Sequence, residues 1–142
     1  MPSPCDSPNF GPKRDLIGDL AKSVRKAGLK LGLSDHFAEN QTFLPKSADF
    51  DTSNPQFADL YNWGGGNDKR WQDWYNRATD LVNEYNPDLM WFDVGLPNNR
   101  AVKKVLDYYY NKADHATSGP MSEGVVVNSK HNVADNTIVL DN

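Results

Sequence analysis

A carboxylate closes the most apolar segment of the sequence. Asp93 follows the run Leu89-Met90-Trp91-Phe92, which has the length and composition of a strand covered on both faces. A charge at the end of a buried strand is costly to desolvate, which favours a chemical role for it. Asp93 could serve there as a nucleophile, a general base or a metal ligand. The alternative is structural, because aspartate also caps helices.

Trp91 precedes Asp93 by two residues, so a strand presents both side chains on the same face. An aromatic ring beside a carboxylate offers a surface on which the C–H groups of a sugar can stack. The pair therefore indicates a sugar-binding pocket, with ordinary core packing as the alternative for Trp91.

Two further apolar segments also end in polar residues. Asp35 and His36 end the first of them, and Lys130 and His131 end the last. Lys130 could donate to a substrate hydroxyl or hold Asp93 as a carboxylate. A lone histidine is more often structural, but one pocket could gather all these side chains if the strands lie side by side.

The elements that position these residues alternate along the chain. Strands separated by helices pair in parallel through right-handed crossovers, and chemistry in such folds lies at the carboxyl ends of the strands. The sequence therefore predicts an α/β fold, the internal portion of a (β/α)8-type barrel with about three parallel strands. Helices are predicted over 13–27, from a cap at Asn67 or Asp68 to residue 85, and over 97–110, and strands over 29–33, 88–95 and 124–127.

Turn and cap residues support these boundaries. Gly28 and Asn86-Pro87 end the first two helices, and Asn67 or Asp68 is predicted to cap the start of the second. Residues 37–66 show no sustained period. A connection of that length is more often a functional loop than a disordered insert.

Length and composition limit the function classes. The chain has 142 residues, 38% hydrophobic and 24% charged, with a net charge of −4. It fits one domain, but a complete barrel needs roughly 200 residues or more. The acidic balance argues against nucleic acid as a partner, and no apolar run reaches the ~20 residues of a membrane span. One cysteine and no zinc-type spacing leave no metal or cofactor predicted.

Three ordered motifs resemble the α-L-fucosidases of glycoside hydrolase family 29. The first covers Gly11–Leu20 with Gly28–Leu33 and is similar to the segment before a middle barrel strand. Asn86–Asp93 resembles the family's nucleophile strand, and Val125–His131 a later strand whose end contributes to the sugar pocket. The resemblance extends from about residue 11 to the end of the chain.

The resemblance implies a retaining hydrolase that releases terminal α-L-fucose from fucosylated glycans. Asp93 matches the catalytic nucleophile and Trp91 the pocket aromatic before it, while Lys130 falls where many members have arginine. Ser34-Asp35-His36 is similar to a subgroup with Ser-Glu-His at this strand end, which implies that His36 contacts fucose. Members are commonly secreted, periplasmic or lysosomal.

The second carboxyl group of a retaining mechanism is expected outside this sequence. The resemblance places the acid/base glutamate after the later strand, beyond Asn142, and paired pocket histidines before Gly11. Glu39 in the long loop, Glu84 on a helix and Glu123 before a strand are poor substitutes. Residues 1–142 are therefore expected to be a partial barrel domain, truncated at both ends and inactive alone.

Three other functions remain open at this point. A related retaining glycosidase could act on a different sugar, because pocket residues determine specificity. A non-catalytic carbohydrate-binding protein could use the tryptophans as platforms, although Trp71 and Trp74 fit a buried helical stripe. A doubly wound domain with Asp93 as a metal ligand is a further possibility, but no second acidic residue lies two positions away.

Overall fold

The computed structural model describes residues 7–9, 11–63, 65–93, 100–116 and 124–129. Helices separate its three strands along the chain, as the sequence predicts. The elements are α1 (Leu16–Lys26), β1 (Gly32–Asp35), α2 (Asn40–Phe43), α3 (Asn67–Tyr85), β2 (Leu89–Phe92), α4 (Arg100–Ala116) and β3 (Val126–Ser129), with one-turn 3₁₀ helices at Phe37–Glu39, Asp51–Ser53 and Pro55–Phe57.

The three strands form one parallel sheet in the order β1-β2-β3. This confirms the predicted parallel pairing and the α/β class. The register places Ser34 beside Trp91 and Asp35 beside Phe92, and on the other side Trp91 beside Asn128. Polar residues at the ends of β1 and β2 therefore lie at one edge of the sheet.

The two faces of the sheet differ in what covers them. Met90 and Phe92 are buried beneath α3 and α4, and we call this side the helix-covered face. The other side, which we call the open face, carries Ser34, Trp91 and Asn128. Ser34 and Asn128 are exposed and Trp91 is half-buried, so no described residue covers this face as the helices cover the other.

The hydrophobic core lies between β2 and the two long helices. The ring of Trp74 contacts that of Phe92, with 5.5 Å between the ring centroids. Tyr109 is buried beside them and its hydroxyl donates to the carbonyl of Pro87 at 2.8 Å, which anchors α4 to the segment before β2. The remaining core residues are Phe37, Ala78, Val82, Met90, Val102 and Val105.

Helix ends follow from local backbone chemistry. Gly28 has a φ of +74° after α1, and Asn86 has a left-handed φ of +45° after α3, so both positions end helices as predicted. The start of α3 differs from the prediction. Gly66 is the N-cap residue and no side chain caps the helix, so Asn67 and Asp68 lie inside the first turn.

The connection from 37 to 66 contains short turns of helix rather than a long element. Phe37 is buried in the core, whereas Phe43 and Phe50 are 66% and 68% exposed. Its predicted functional role stays a prediction. No helix within the described ranges is long and apolar enough to cross a membrane.

Candidate active site

The Asp93 carboxylate is held from two sides where β2 ends. The indole Nε1 of Trp91 donates to its Oδ1 at 3.1 Å, and His36 Nδ1 lies 3.3 Å from its Oδ2. The Asp93 side chain keeps 21% of its surface exposed. A carboxylate with both oxygens oriented and part of its surface accessible is suited to attack an electrophilic carbon.

The hydrogen bond between Trp91 and Asp93 places both side chains on the open face, as the alternation of a strand predicts. The backbone N–H of Asp93 donates to the carbonyl of Asp35 at 3.2 Å. This bond continues the parallel pairing one residue beyond β2, so the nucleophile candidate extends a rigid strand rather than a free loop.

His36 reaches Asp93 from the neighbouring strand. An ionised carboxylate only accepts hydrogen bonds, so Nδ1 of His36 is the donor to Asp93. Its Nε2 lies 3.1 Å from the hydroxyl of Ser34, which fixes the other side of the ring. Ser34, His36 and Asp93 thus form one chain of polar contacts across the open face.

The structure places Asp35 apart from these residues. Its side chain is buried on the helix-covered face, and its Oδ1 accepts from the backbone N–H of Phe37 at 2.8 Å. Burial raises the pKa of Asp35, and the Phe37 N–H, the indole of Trp74 and the charge of Arg77 oppose that rise. Its Oδ2 has no hydrogen-bond partner within the described residues. The structure therefore does not bring this carboxyl to the open face.

The remaining predicted site residues, Lys130 and His131, lie outside the described residues. Within the described part of the chain, no three His, Cys, Asp or Glu side chains cluster in a way that could hold a metal ion. Glu84 is exposed in the last turn of α3, which leads into the start of β2 and so lies at the opposite edge of the sheet from Asp93.

Sequence reasoning missed two features of this site. The motifs single out Ser34 only as part of a longer segment, yet its hydroxyl contacts the ring of His36. Strand alternation would have shown that Ser34 and His36 share a face and that Asp35 points the other way. The contact between His36 and Asp93 depends on the pairing of β1 with β2, which neither local segment contains.

Fold and site together define an α/β protein with a polar cluster at the carboxyl edge of a parallel sheet. The chain belongs to the α-L-fucosidase family, whose model matches residues 3–142. The resemblance to glycoside hydrolase family 29 that the motifs carry is thereby confirmed.

Individual relatives agree with this assignment. The tissue α-L-fucosidase of Bos taurus is 30% identical over 134 residues, which cover 88% of this chain and 24% of that protein. The crystal structure of Thermotoga maritima α-fucosidase matches with a TM-score of 0.52 and 30% identity over 87% of this chain and 26% of that one. Its complex with fucose matches with a TM-score of 0.50, 30% identity and the same coverage. The chain thus spans about a quarter of the length of these relatives.

Proposed function

We propose that this chain supplies the nucleophile of a retaining α-L-fucosidase and that Asp93 is that nucleophile. The observation that carries the proposal is the Asp93 carboxylate at the end of β2, oriented by Trp91 on one oxygen and His36 on the other. Family membership supports a hydrolase that acts on fucosides.

The chemistry proceeds in two displacements at the anomeric carbon of fucose. In the first, one oxygen of Asp93 bonds to that carbon as the glycosidic C–O bond breaks, and a general acid protonates the departing oxygen. In the second, a water molecule attacks the same carbon, its proton passes to the conjugate base, and the bond to Asp93 breaks. Two inversions give net retention of configuration.

Each contact of Asp93 has a role in this scheme. The donor groups of Trp91 and His36 hold the two oxygens of the Asp93 carboxylate in place on the open face. Trp91 also offers its half-buried ring beside the reacting carboxylate, where an apolar face of the sugar can pack. We propose fucosylated glycans as the substrates, in line with the names of the relatives.

We also propose that the described strands are part of a (β/α)8 barrel whose other strands complete the pocket. A retaining mechanism needs a second carboxyl group about 5–5.5 Å from the first. Two carboxyl groups of the described residues are poorly placed for this role, because Asp35 is on the helix-covered face and Glu84 is at the opposite edge of the sheet. We propose that the acid/base lies in this completed pocket and that Lys130 and His131 contact the substrate there.

Replacing Asp93 with glycine in the complete polypeptide that contains this sequence tests the proposal. We expect kcat on an aryl α-L-fucoside to fall by at least about 10³-fold, because the glycosyl-enzyme can no longer form. Added azide should restore turnover and yield the β-L-fucosyl azide, since a small anion can attack from the vacated space.

Asp107→Asn is the matched control, because Asp107 is an exposed carboxylate on α4. It should keep wild-type activity. Wild-type turnover by Asp93→Gly, or azide rescue with retained configuration, would contradict the assignment. A panel of aryl glycosides assayed on the same protein shows whether fucose is the preferred sugar. Preference for another glycoside would exclude the fucosidase activity but would not bear on Asp93 as the nucleophile.

A further inference from the structure

A cavity lies in the helix layer, apart from the open face that carries Asp93. It has a volume of about 330 Å³ and lies between the N-terminal halves of α3 and α4. That is the lower end of the range of roughly 300–1,000 Å³ for small-molecule pockets, which suits a single small ring. Its wall consists of Ala101 and six larger side chains: Asp68, Trp71, Gln72, Tyr75, Arg100 and Lys104.

One side of the cavity is aromatic and fixed in place. Trp71 and Tyr75 are one turn apart on α3 and so share a face of the helix. The Trp71 ring packs edge-on against Trp74, with centroids 5.7 Å apart, and the guanidinium carbon of Arg70 lies 5.0 Å from its centroid. Because these neighbours already hold the Trp71 ring in place, a ligand that packs on it costs little side-chain conformational entropy.

The side formed by α4 is cationic. Arg100 and Lys104 are one turn apart, both are exposed, and neither forms an ion pair or hydrogen bond in the part of the chain that the structure describes. Like charges at this spacing repel, and cations near a helix N-terminus oppose its dipole. An anion between the two side chains would relieve both effects, and the planar guanidinium of Arg100 suits a carboxylate or sulfate.

The third part of the wall accepts hydrogen bonds. Gln72 lines the cavity, and its Nε2 donates to Asn76 Oδ1 at 2.9 Å, so its side-chain oxygen is the group available to accept from a ligand. The Asp68 carboxylate has no partner within the described residues. These acceptors suit hydroxyl donors on a ligand, and the Asp68 carboxylate would repel a polyanion such as a nucleotide phosphate chain.

We infer that this cavity binds an acidic sugar unit, with its carboxylate or sulfate on Arg100 and Lys104, its hydroxyls on Asp68 and Gln72, and its apolar face on the aromatic side. The contact between Trp74 and Phe92 shows that the first half of α3 lies beside the end of β2. The site therefore lies towards the same edge of the sheet as Asp93 but on the helix side, separate from the fucose-releasing reaction.

Calorimetric titration of the complete polypeptide tests the inference with three probes: 3′-sialyllactose, lactose 3′-sulfate and lactose. Saturating L-fucose is present throughout, so the proposed fucose site cannot account for the heat. We expect at least one acidic probe to bind and neutral lactose to give no signal. The first two probes separate a carboxylate preference from a sulfate preference. Binding of lactose as tight as that of the acidic probes, or no binding of either acidic probe, would overturn the inference.

Two lysines of α4 provide matched variants, because Lys103 and Lys104 are adjacent and exposed but only Lys104 lines the cavity. Lys104→Glu should weaken the acidic probe by about tenfold or more, as expected for loss of a charge-assisted hydrogen bond. Lys103→Glu should stay within about twofold. Arg100→Ala removes the other cation without reversing its charge and should also weaken binding of the acidic probe. Equal losses for the two lysine variants, with helix content unchanged, would contradict a local site.

Discussion

At the scale of single residues, the site depends on which face of the sheet each side chain occupies. Ser34, His36 and Asp93 meet on the open face, whereas Asp35, between the first two in sequence, is buried against α3. His36 therefore acts on Asp93 directly. Asp35 instead holds the turn that carries His36, through its bond to the Phe37 N–H and through its own carbonyl, which accepts from Asp93.

His36 is expected to position Asp93, the proposed nucleophile. His36→Ala should lower kcat of the complete enzyme by about 10- to 100-fold, the cost of one hydrogen bond to a charged group. His36→Asn should recover part of the loss, because its amide nitrogen can occupy the place of Nδ1. Steady-state kinetics on an aryl fucoside measures both. An effect confined to KM would identify His36 as a fucose contact instead, and unchanged kinetics would exclude both roles.

Asp35 should make stability depend on pH. Burial raises its pKa in the folded chain above the ordinary value of 3.8, so the folded state holds this proton more tightly than the unfolded state does. The contribution of Asp35 to the free energy of unfolding is therefore at its maximum below pH 3.8. It is lost as the pH rises through the pKa of Asp35 in the folded chain.

Asp35→Asn does not titrate but keeps an acceptor for Phe37. The free energy of unfolding of this variant minus that of wild type should therefore be larger at about pH 7 than at about pH 4. Urea unfolding at the two pH values measures this difference. Asp35→Ala also loses that acceptor and should be destabilised by about 1–2 kcal/mol relative to Asp35→Asn. A stability difference between Asp35→Asn and wild type that does not change with pH would show that burial does not perturb this carboxyl.

At the scale of elements, a few long-range hydrogen bonds join helices whose boundaries are locally determined. Arg25 at the end of α1 donates to the carbonyls of Tyr85 and Asn86 at 2.7 Å each, which satisfies the end of α3. Tyr85 donates in turn to Asp15 at the start of α1, and burial with this bond raises the pKa of Tyr85 to about 12. Both ends of α1 are thus tied to the end of α3.

Tyr109 and Tyr110 provide a test of such bonds. Tyr109→Phe should cost about 1–2 kcal/mol, because it leaves the Pro87 carbonyl without its buried donor. Tyr110→Phe should change stability by less than about 0.5 kcal/mol, since the Tyr110 hydroxyl has no hydrogen-bond partner within the described ranges. Urea unfolding of both variants measures the difference. Equal effects would mean that ring packing rather than the hydroxyl anchors α4.

At the scale of the whole molecule, one face of the sheet and part of α1 have no cover among the described residues. Leu20 and Leu29 are each 64% exposed and Val126 is 54% exposed. The predicted apolar stripe of α1 is present in the sequence, but Leu16 and Ile17 are more than a third exposed. In the proposed barrel, further elements would pack against these surfaces. The chain spans about a quarter of the length of the relatives it matches.

Sequence patterns predicted those features that depend on one segment at a time. The order of elements, the ends of α1 and α3, and the shared face of Trp91 and Asp93 follow from local periods and turn residues. Contacts between segments were not predictable in this way. The meeting of His36 with Asp93 requires the β1–β2 register, and the bond from Arg25 to Tyr85 spans 60 residues.

The isolated 142-residue polypeptide is expected to show no fucosidase turnover and to bind a hydrophobic dye. Its exposed apolar side chains should enhance the fluorescence of such a dye well above that of the complete protein. Activity assays and dye fluorescence on the purified chain measure both properties. Turnover by this chain alone would show that it holds a complete catalytic pair.

The central claim is that Asp93 forms a covalent bond to fucose. The complete polypeptide is incubated with 2-deoxy-2-fluoro-α-L-fucosyl fluoride, whose fluorine at C2 slows the second displacement while fluoride departs readily in the first. Proteolysis and mass spectrometry then locate the trapped sugar. We predict one ester-linked fluorofucosyl group on the peptide that contains Asp93. A label on a different carboxylate, with Asp93 unmodified, would contradict the account.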